Sequence, residues 1–314
     1  MESSEYTSVR VNTLRGDLKI PFDVYVHVAG KYIHYCRQGD SFEGTRLERL
    51  KSKKLKKMFI RIEQESLYRK YLEDSIDSAY EDTGKPLETR AEVIQGFQQA
   101  AAEQYMEDPK DEISYTHARS SVHRLVQFLN KEPFGALALL KLKNTDQSIT
   151  HHSVNVAALS AAMALESNLR EKNEIALLSL GCLLHDIDHF FSEFDLSRPI
   201  ASLGSEELTV YKSHPMKGAE RLQSAPFMDQ LVLSVVLQHE EHADGTGFPK
   251  GMRGEDMDPM VMVAATANAY DRAVSFEQQE PKDALKHILI DKLGAYPLPY
   301  LQSLQRVLKA QKIV

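Results

Sequence analysis

Cysteine is scarce in this chain of 314 residues: Cys36 and Cys182 are its two cysteines, and they form no ligand-spaced pair. That excludes a disulfide framework and fits a reducing compartment. No apolar run approaches the length of a membrane span. The start, Met1-Glu2-Ser3-Ser4-Glu5, has neither the basic n-region nor the apolar h-region of a leader, so the expected location is cytoplasmic. An excess of positive charge is also missing, with 38 Lys and Arg against 45 Asp and Glu, a net charge of −7. This argues against a broad nucleic-acid surface, although metal cations could still meet a small anionic ligand locally. Internal repeats and low-complexity segments are absent.

What remains is ample material for a core, since 42% of residues are hydrophobic. The pattern changes along the chain. Residues Leu18 to Cys36 are rich in Ile, Val, Phe and Tyr around Gly30 and read as two short strands. Leu47 to Met58 reads as a helix with a solvated basic face, Phe59 to Ile62 as a strand and Ser66 to Ala79 as a helix. A small α/β domain over residues 1–85 is expected, closing near Gly84-Lys85-Pro86. From residue 86 to 314 helical periodicity dominates, with apolar stripes from Arg90 through Leu293 that predict an all-α domain. Asp146 to Thr150 supplies a polar lead-in to the helix over Ser153 to Leu165.

Seven of the 12 histidines fall between His151 and His242, in four clusters: His151-His152, His185 to His189, His214, and His239 to His242. His185-Asp186 closes the apolar run Ala176 to Leu184, which places an imidazole and a carboxylate in the interior, where an unpaired charge is costly. A divalent cation resolves that cost, and the mixed donor set suits Fe, Mn or Zn rather than Mg or Ca. A plainer reading keeps the histidines as polar residues at helix ends. His239-Glu240 does not begin a zinc-protease helix, because the position four residues on is Ala243. Gly245-Thr246-Gly247 lacks the βαβ surroundings of a dinucleotide fold.

The ordered motifs carry a resemblance. His152-Ser153-Val154-Asn155-Val156, Leu183-Leu184-His185-Asp186-Ile187, Arg198-Pro199, His214-Pro215 with Gly218-Ala219, His239 followed by Asp244-Gly245 and Phe248-Pro249, and Ala267-Asn268-Ala269-Tyr270-Asp271 together resemble an HD-GYP domain. The resemblance implies a mainly α protein: an HD-type helical bundle with a five-helix core plus extra helices, its motif core over 146–280. It also implies a metal-dependent phosphodiesterase that hydrolyses cyclic di-GMP through a hydroxide bridging two divalent transition metals, commonly Fe. The implied ligands are His152, His185, Asp186, His214 and His239, with Glu240 and Asn268 at two further ligand positions and Asp186 as the bridge. His185 and Asp186 are the implied catalytic pair. Asp188, His189, Arg198, Asp244, Phe248 and Asp271 fall on the substrate side or behind the ligands.

Several positions depart from the family pattern. Glu240 stands where the family has a second imidazole, and Asn268 offers a neutral oxygen in place of an Asp. Ser148 replaces the Glu of members with three metals, so two are expected. Asp188-His189 replaces Gly-Lys, Phe248 replaces the Tyr of the family name, and Glu277 and Glu280 fall where phosphate-binding bases are common. The alternative is therefore a degenerate signalling scaffold that retains the metals, or binds the messenger without cleaving it. Partners of the family's kind would be a diguanylate cyclase or another signalling protein, with oligomerisation open.

Overall fold

A computed structural model of the chain describes residues 5–16, 18–42, 45–53, 55–142, 148–192 and 194–314. The chain divides into two compact units, Met1–Ala100 and Ala101–Val314. The expected link near Gly84 is a turn between α2 (Glu65–Glu81) and α3 (Leu87–Glu107), and the division of the units falls inside α3.

In the first unit, β1 (Tyr6–Arg10), β2 (Val24–Val28), β3 (Lys31–Cys36) and β4 (Lys57–Arg61) form an antiparallel sheet in the order β1-β4-β2-β3. The β2–β3 hairpin turns at Ala29-Gly30, both in the left-handed region. Val9, Val24, Met58 and Ile60 are buried with Ile20, Phe22, Phe42 and Tyr71, the last from α2 (Glu65–Glu81). The helix expected over Leu47 to Met58 is shorter: α1 covers Arg46–Ser52, and Met58 lies in β4. The reason is the two-residue alternation that buries Met58 and Ile60 while Phe59 points the other way. Within its basic face, Lys54 lies outside the described residues.

Helices α4 (Glu112–Lys131), α5 (Gly135–Leu140), α6 (Ile149–Glu166), α7 (Lys172–Leu184), α8 (Ile187–Phe190), α9 (Ser205–Gln223), α10 (Gln230–Gln238), α11 (Pro259–Ser275), α12 (Pro281–Ile290) and α13 (Leu298–Ala310) build the second unit. Sequence periodicity indicated most of these. It did not indicate α5 and α8, which are too short to show a period, or α13, whose stripe of Leu301, Leu304, Val307 and Leu308 lies beyond Leu293. Part of the polar lead-in to α6, Asp146 and Gln147, lies outside the described residues.

The site depends on the centre of this bundle. Both α6 and α7 are apolar on nearly every face and buried accordingly. α6 packs on α7 and α11, α7 packs on α4 and α10, and α9 packs on α10 and α8. Where α7 meets α10, the pair approaches closely enough that a Cβ on Gly181 would stand 2.7 Å from Val235 Cβ. Among the described residues no helix is long and apolar enough to cross a membrane.

Gly181→Ala should destabilise the protein. Overpacking against Val235 costs about 1–3 kcal/mol, which exceeds the gain of about 1 kcal/mol from replacing a helical glycine. Urea denaturation monitored by circular dichroism should show a lower midpoint; a raised midpoint would mean that α7 and α10 are less tightly apposed.

Candidate metal centre

The bundle brings four imidazoles to one buried carboxylate. His152 lies in α6, His185 caps α7, His214 lies within α9 and His239 caps α10, and none is more than 2% exposed. Each ring has its Nδ1 against an acceptor: Asp271 Oδ2 at 2.7 Å from His152, Cys182 O at 2.6 Å from His185, Tyr211 O at 2.6 Å from His214, and Val236 O at 2.9 Å from His239. Carbonyl and carboxylate oxygens only accept, so all four Nδ1 atoms carry protons and donate. In the neutral rings, all four Nε2 atoms are then bare lone pairs.

Those lone pairs converge. His214 Nε2 lies 2.9 Å from His239 Nε2, and His152 Nε2 lies 3.0 Å from the side-chain oxygen of Asn268. Asp186 stands between them. Its Oδ2 is 3.2 Å from His185 Nε2 and 3.8 Å from His152 Nε2, while its Oδ1 is 3.2 Å from His214 Nε2 and 3.4 Å from His239 Nε2. His185 Nε2 is buried without a hydrogen-bond partner. Acceptors facing acceptors repel unless something positive lies between them. Four buried imidazoliums around one carboxylate would leave uncompensated charge, so divalent cations fit this donor set better than protons do. Two groups of candidate ligands, His152 with His185 and Asp186, and His214 with His239 and Asp186, share the same aspartate.

The remaining residues singled out from the sequence fall into three places. Asn268 and Glu240 adjoin the centre. The Asn268 side-chain nitrogen donates to Glu240 Oε1 at 3.3 Å, and the Tyr211 hydroxyl donates to the same oxygen at 2.8 Å. Burial raises the Glu240 carboxyl, and the positive charge of Arg272 works against it. Asp271 stands behind His152 and also accepts from Asn155 Nδ2 at 3.0 Å and the Ser275 hydroxyl at 2.8 Å. His189 lies against the His214 and Tyr211 rings, and burial pushes its pKa down to about 3.

Others point elsewhere. Asp188 accepts from Arg221 Nε at 3.0 Å, so its charge is paired. Arg198 pairs with Glu207 at the start of α9. Asp244 shapes its loop by accepting from the Thr246 N–H at 2.9 Å. Ser148 bonds to Thr150 at 2.9 Å, and Thr150 donates to Glu103 at 3.0 Å. Phe248 lies edge-on to the Tyr211 ring, with centroids 5.8 Å apart.

Four residues for which the sequence predicted no role at the site contribute here. Glu241 accepts from the N–H groups of Lys250 and Met252 at 2.7 and 2.9 Å and so ties down the loop that carries Phe248. Gly247 lets that loop lie directly on the chain: a Cβ there would stand 2.2 Å from His242 N. Tyr211 and Arg272 form a wall beside Glu240, with the guanidinium 5.1 Å from the ring centre. Tyr211 sits one helical turn before His214, a spacing that would have placed it on the same face of α9. Only the folded chain brings Arg272 to it.

Residues 138–290 match the HD domain family. Over 97% of this chain and 99% of the other, the fold superposes with a TM-score of 0.90 and 44% identity on Bd1817, an HDG"Y"P protein from Bdellovibrio bacteriovorus. The chain is 30% identical over 163 residues to the cyclic di-GMP phosphodiesterase PA4108 of Pseudomonas aeruginosa, covering 52% of this chain and 39% of that protein. It is 27% identical over 147 residues to the 3'3'-cGAMP-specific phosphodiesterase 1 of Vibrio cholerae, covering 46% and 34%. The chain thus spans well under half the length of these curated relatives.

Asp271→Asn keeps the shape behind His152 but removes the charge that its Nδ1–H meets, and metal affinity should fall by about 10- to 100-fold. Competition with a chelator checks this, and unchanged affinity would show that His152 needs no such support. Phe248→Tyr keeps the ring against Tyr211, so the melting temperature should barely move. A large fall would show that the hydroxyl has no room.

Proposed function

The chain belongs to the HD-GYP family, and we propose that it is a phosphodiesterase of cyclic dinucleotides that holds two divalent cations, one on each side of Asp186. The observation that carries this reading is the aspartate itself, whose two oxygens each face a different pair of imidazole nitrogens. His152 and His185 would hold one cation, His214 and His239 the other, and Asp186 both. Glu240 and Asn268 adjoin the cage with oxygens of their own. Iron, manganese and zinc all suit imidazole with carboxylate. Bound cations supply Lewis acidity toward the phosphodiester and an activated water near neutral pH.

The chain's own residues orient and enclose. Backbone carbonyls of Cys182, Tyr211 and Val236 fix three rings, and Asp271 fixes the fourth. The Tyr211 hydroxyl aims the Glu240 carboxylate. Phe194 and Phe248, both half-buried, pack on the buried Tyr211 ring beside the centre and are rings suited to stacking a base. His189 is neutral at physiological pH, so it does not supply the charge of the family's lysine.

A second reading, binding without cleavage, draws support from the neutral side chain of Asn268 and from Glu277 beside Arg272. One assay decides between them. Protein purified anaerobically and loaded with ferrous iron should convert cyclic di-GMP to a linear dinucleotide or GMP, and His185→Ala and Asp186→Ala should each lose metal and hydrolysis together. A fully loaded chain that binds cyclic di-GMP or 3'3'-cGAMP without turnover would overturn the enzymatic reading in favour of the second.

A further inference from the structure

Arg272 is an unusual arginine. It lies on α11 one helical turn past Asn268 and is only 7% exposed, yet its Nε and Nη2 have no hydrogen-bond partner. These two nitrogens form one edge of the guanidinium, the fork that meets a carboxylate or a phosphate through two parallel hydrogen bonds. Leaving that edge unmet in the interior is costly, and native interiors seldom do so without a purpose. The nearest carboxylate does not close it. Glu277 Oε1 is 3.9 Å from Nε, beyond hydrogen-bond distance, while Glu277 Oε2 accepts from Gln279 Nε2 at 3.0 Å.

The position of the fork suggests its use. The guanidinium stacks on Tyr211, whose hydroxyl bonds to Glu240, and the Tyr211 ring lies 5.0 Å from that of His214. Asn268, one turn back along the same face, reaches His152 Nε2. A buried cation therefore sits beside the metal cage, with its bidentate edge open. At other positions singled out on the substrate side, Asp188 is paired with Arg221, Arg198 is held by Glu207, and Glu277 and Glu280 are acids.

We propose that the Nε–Nη2 edge of Arg272 binds two oxygens of the substrate's phosphodiester, supplying a cation from within α11, with Glu277 as the internal anion that competes for it. Naming a phosphodiester as the ligand rests on the phosphodiesterase reading; the fork alone calls for an oxyanion that offers two oxygens.

The probe is inorganic phosphate, titrated calorimetrically into the manganese-loaded chain, with metal per chain counted and cyclic di-GMP turnover measured in the same samples. Arg272→Gln should weaken phosphate binding by about ten- to a hundredfold at unchanged metal content, the scale of a lost charge-assisted fork. Arg272→Lys should restore only part of the loss, because lysine offers a point charge without the fork. Glu277→Gln should tighten binding. Should Arg272→Gln destabilise the fold, the Arg272→Lys and Glu277→Gln titrations carry the test. Equal phosphate affinity in wild type and Arg272→Gln, or no phosphate binding by wild type, would overturn the proposal. Weakened phosphate binding in Arg272→Gln with no turnover by wild type would support the Arg272 assignment and contradict the phosphodiesterase reading instead.

Discussion

Four imidazoles in this protein spend their N–H groups on outward acceptors and turn bare nitrogens inward onto one aspartate. Without positive charge at its centre this cage consists of acceptors facing acceptors, an arrangement that burial makes more costly. Much of the surrounding structure serves to hold it. Backbone carbonyls from three helices orient three of the rings, and Asp271, itself held by Asn155 and Ser275, orients the fourth. The helices in turn are held by close packing, with Gly181 allowing α7 to rest on α10 and most of α6 and α7 buried.

Electrostatics divides the site into two regions. The cage itself is a place for cations, with imidazole nitrogens and Asp186 oxygens all facing inward. Beside it lies an aromatic wall containing one buried cation, Arg272, stacked on Tyr211. Of the acids on the substrate side, Asp188 is paired with Arg221, while Glu277 keeps one oxygen toward Arg272 and the other on Gln279.

Much of this was legible in the sequence, for physical reasons. His185-Asp186 at the end of the run Ala176 to Leu184 announces a buried charge that needs a partner, and the folded chain brings His152, His214 and His239 to that point. Long helices showed their periods and the β2–β3 hairpin showed its turn. Met58 was misplaced because two turns of apolar and basic residues fit a helix as well as a strand until burial alternates. Arg272 was not legible at all. Its role depends on which side of α11 meets α9, and no local pattern encodes that contact. The converse holds for Asp188 and Arg198: their partners, Arg221 and Glu207, decide their availability, and the motif that contains them does not.

Anomalous diffraction from crystals of the iron-loaded protein, collected on either side of the iron absorption edge, tests the central claim most directly. Two peaks, one between Asp186 and the His152–His185 pair and the other between Asp186 and the His214–His239 pair, are the expected result. A single peak, or iron bound away from Asp186, would contradict the account of the aspartate as the shared ligand of two cations.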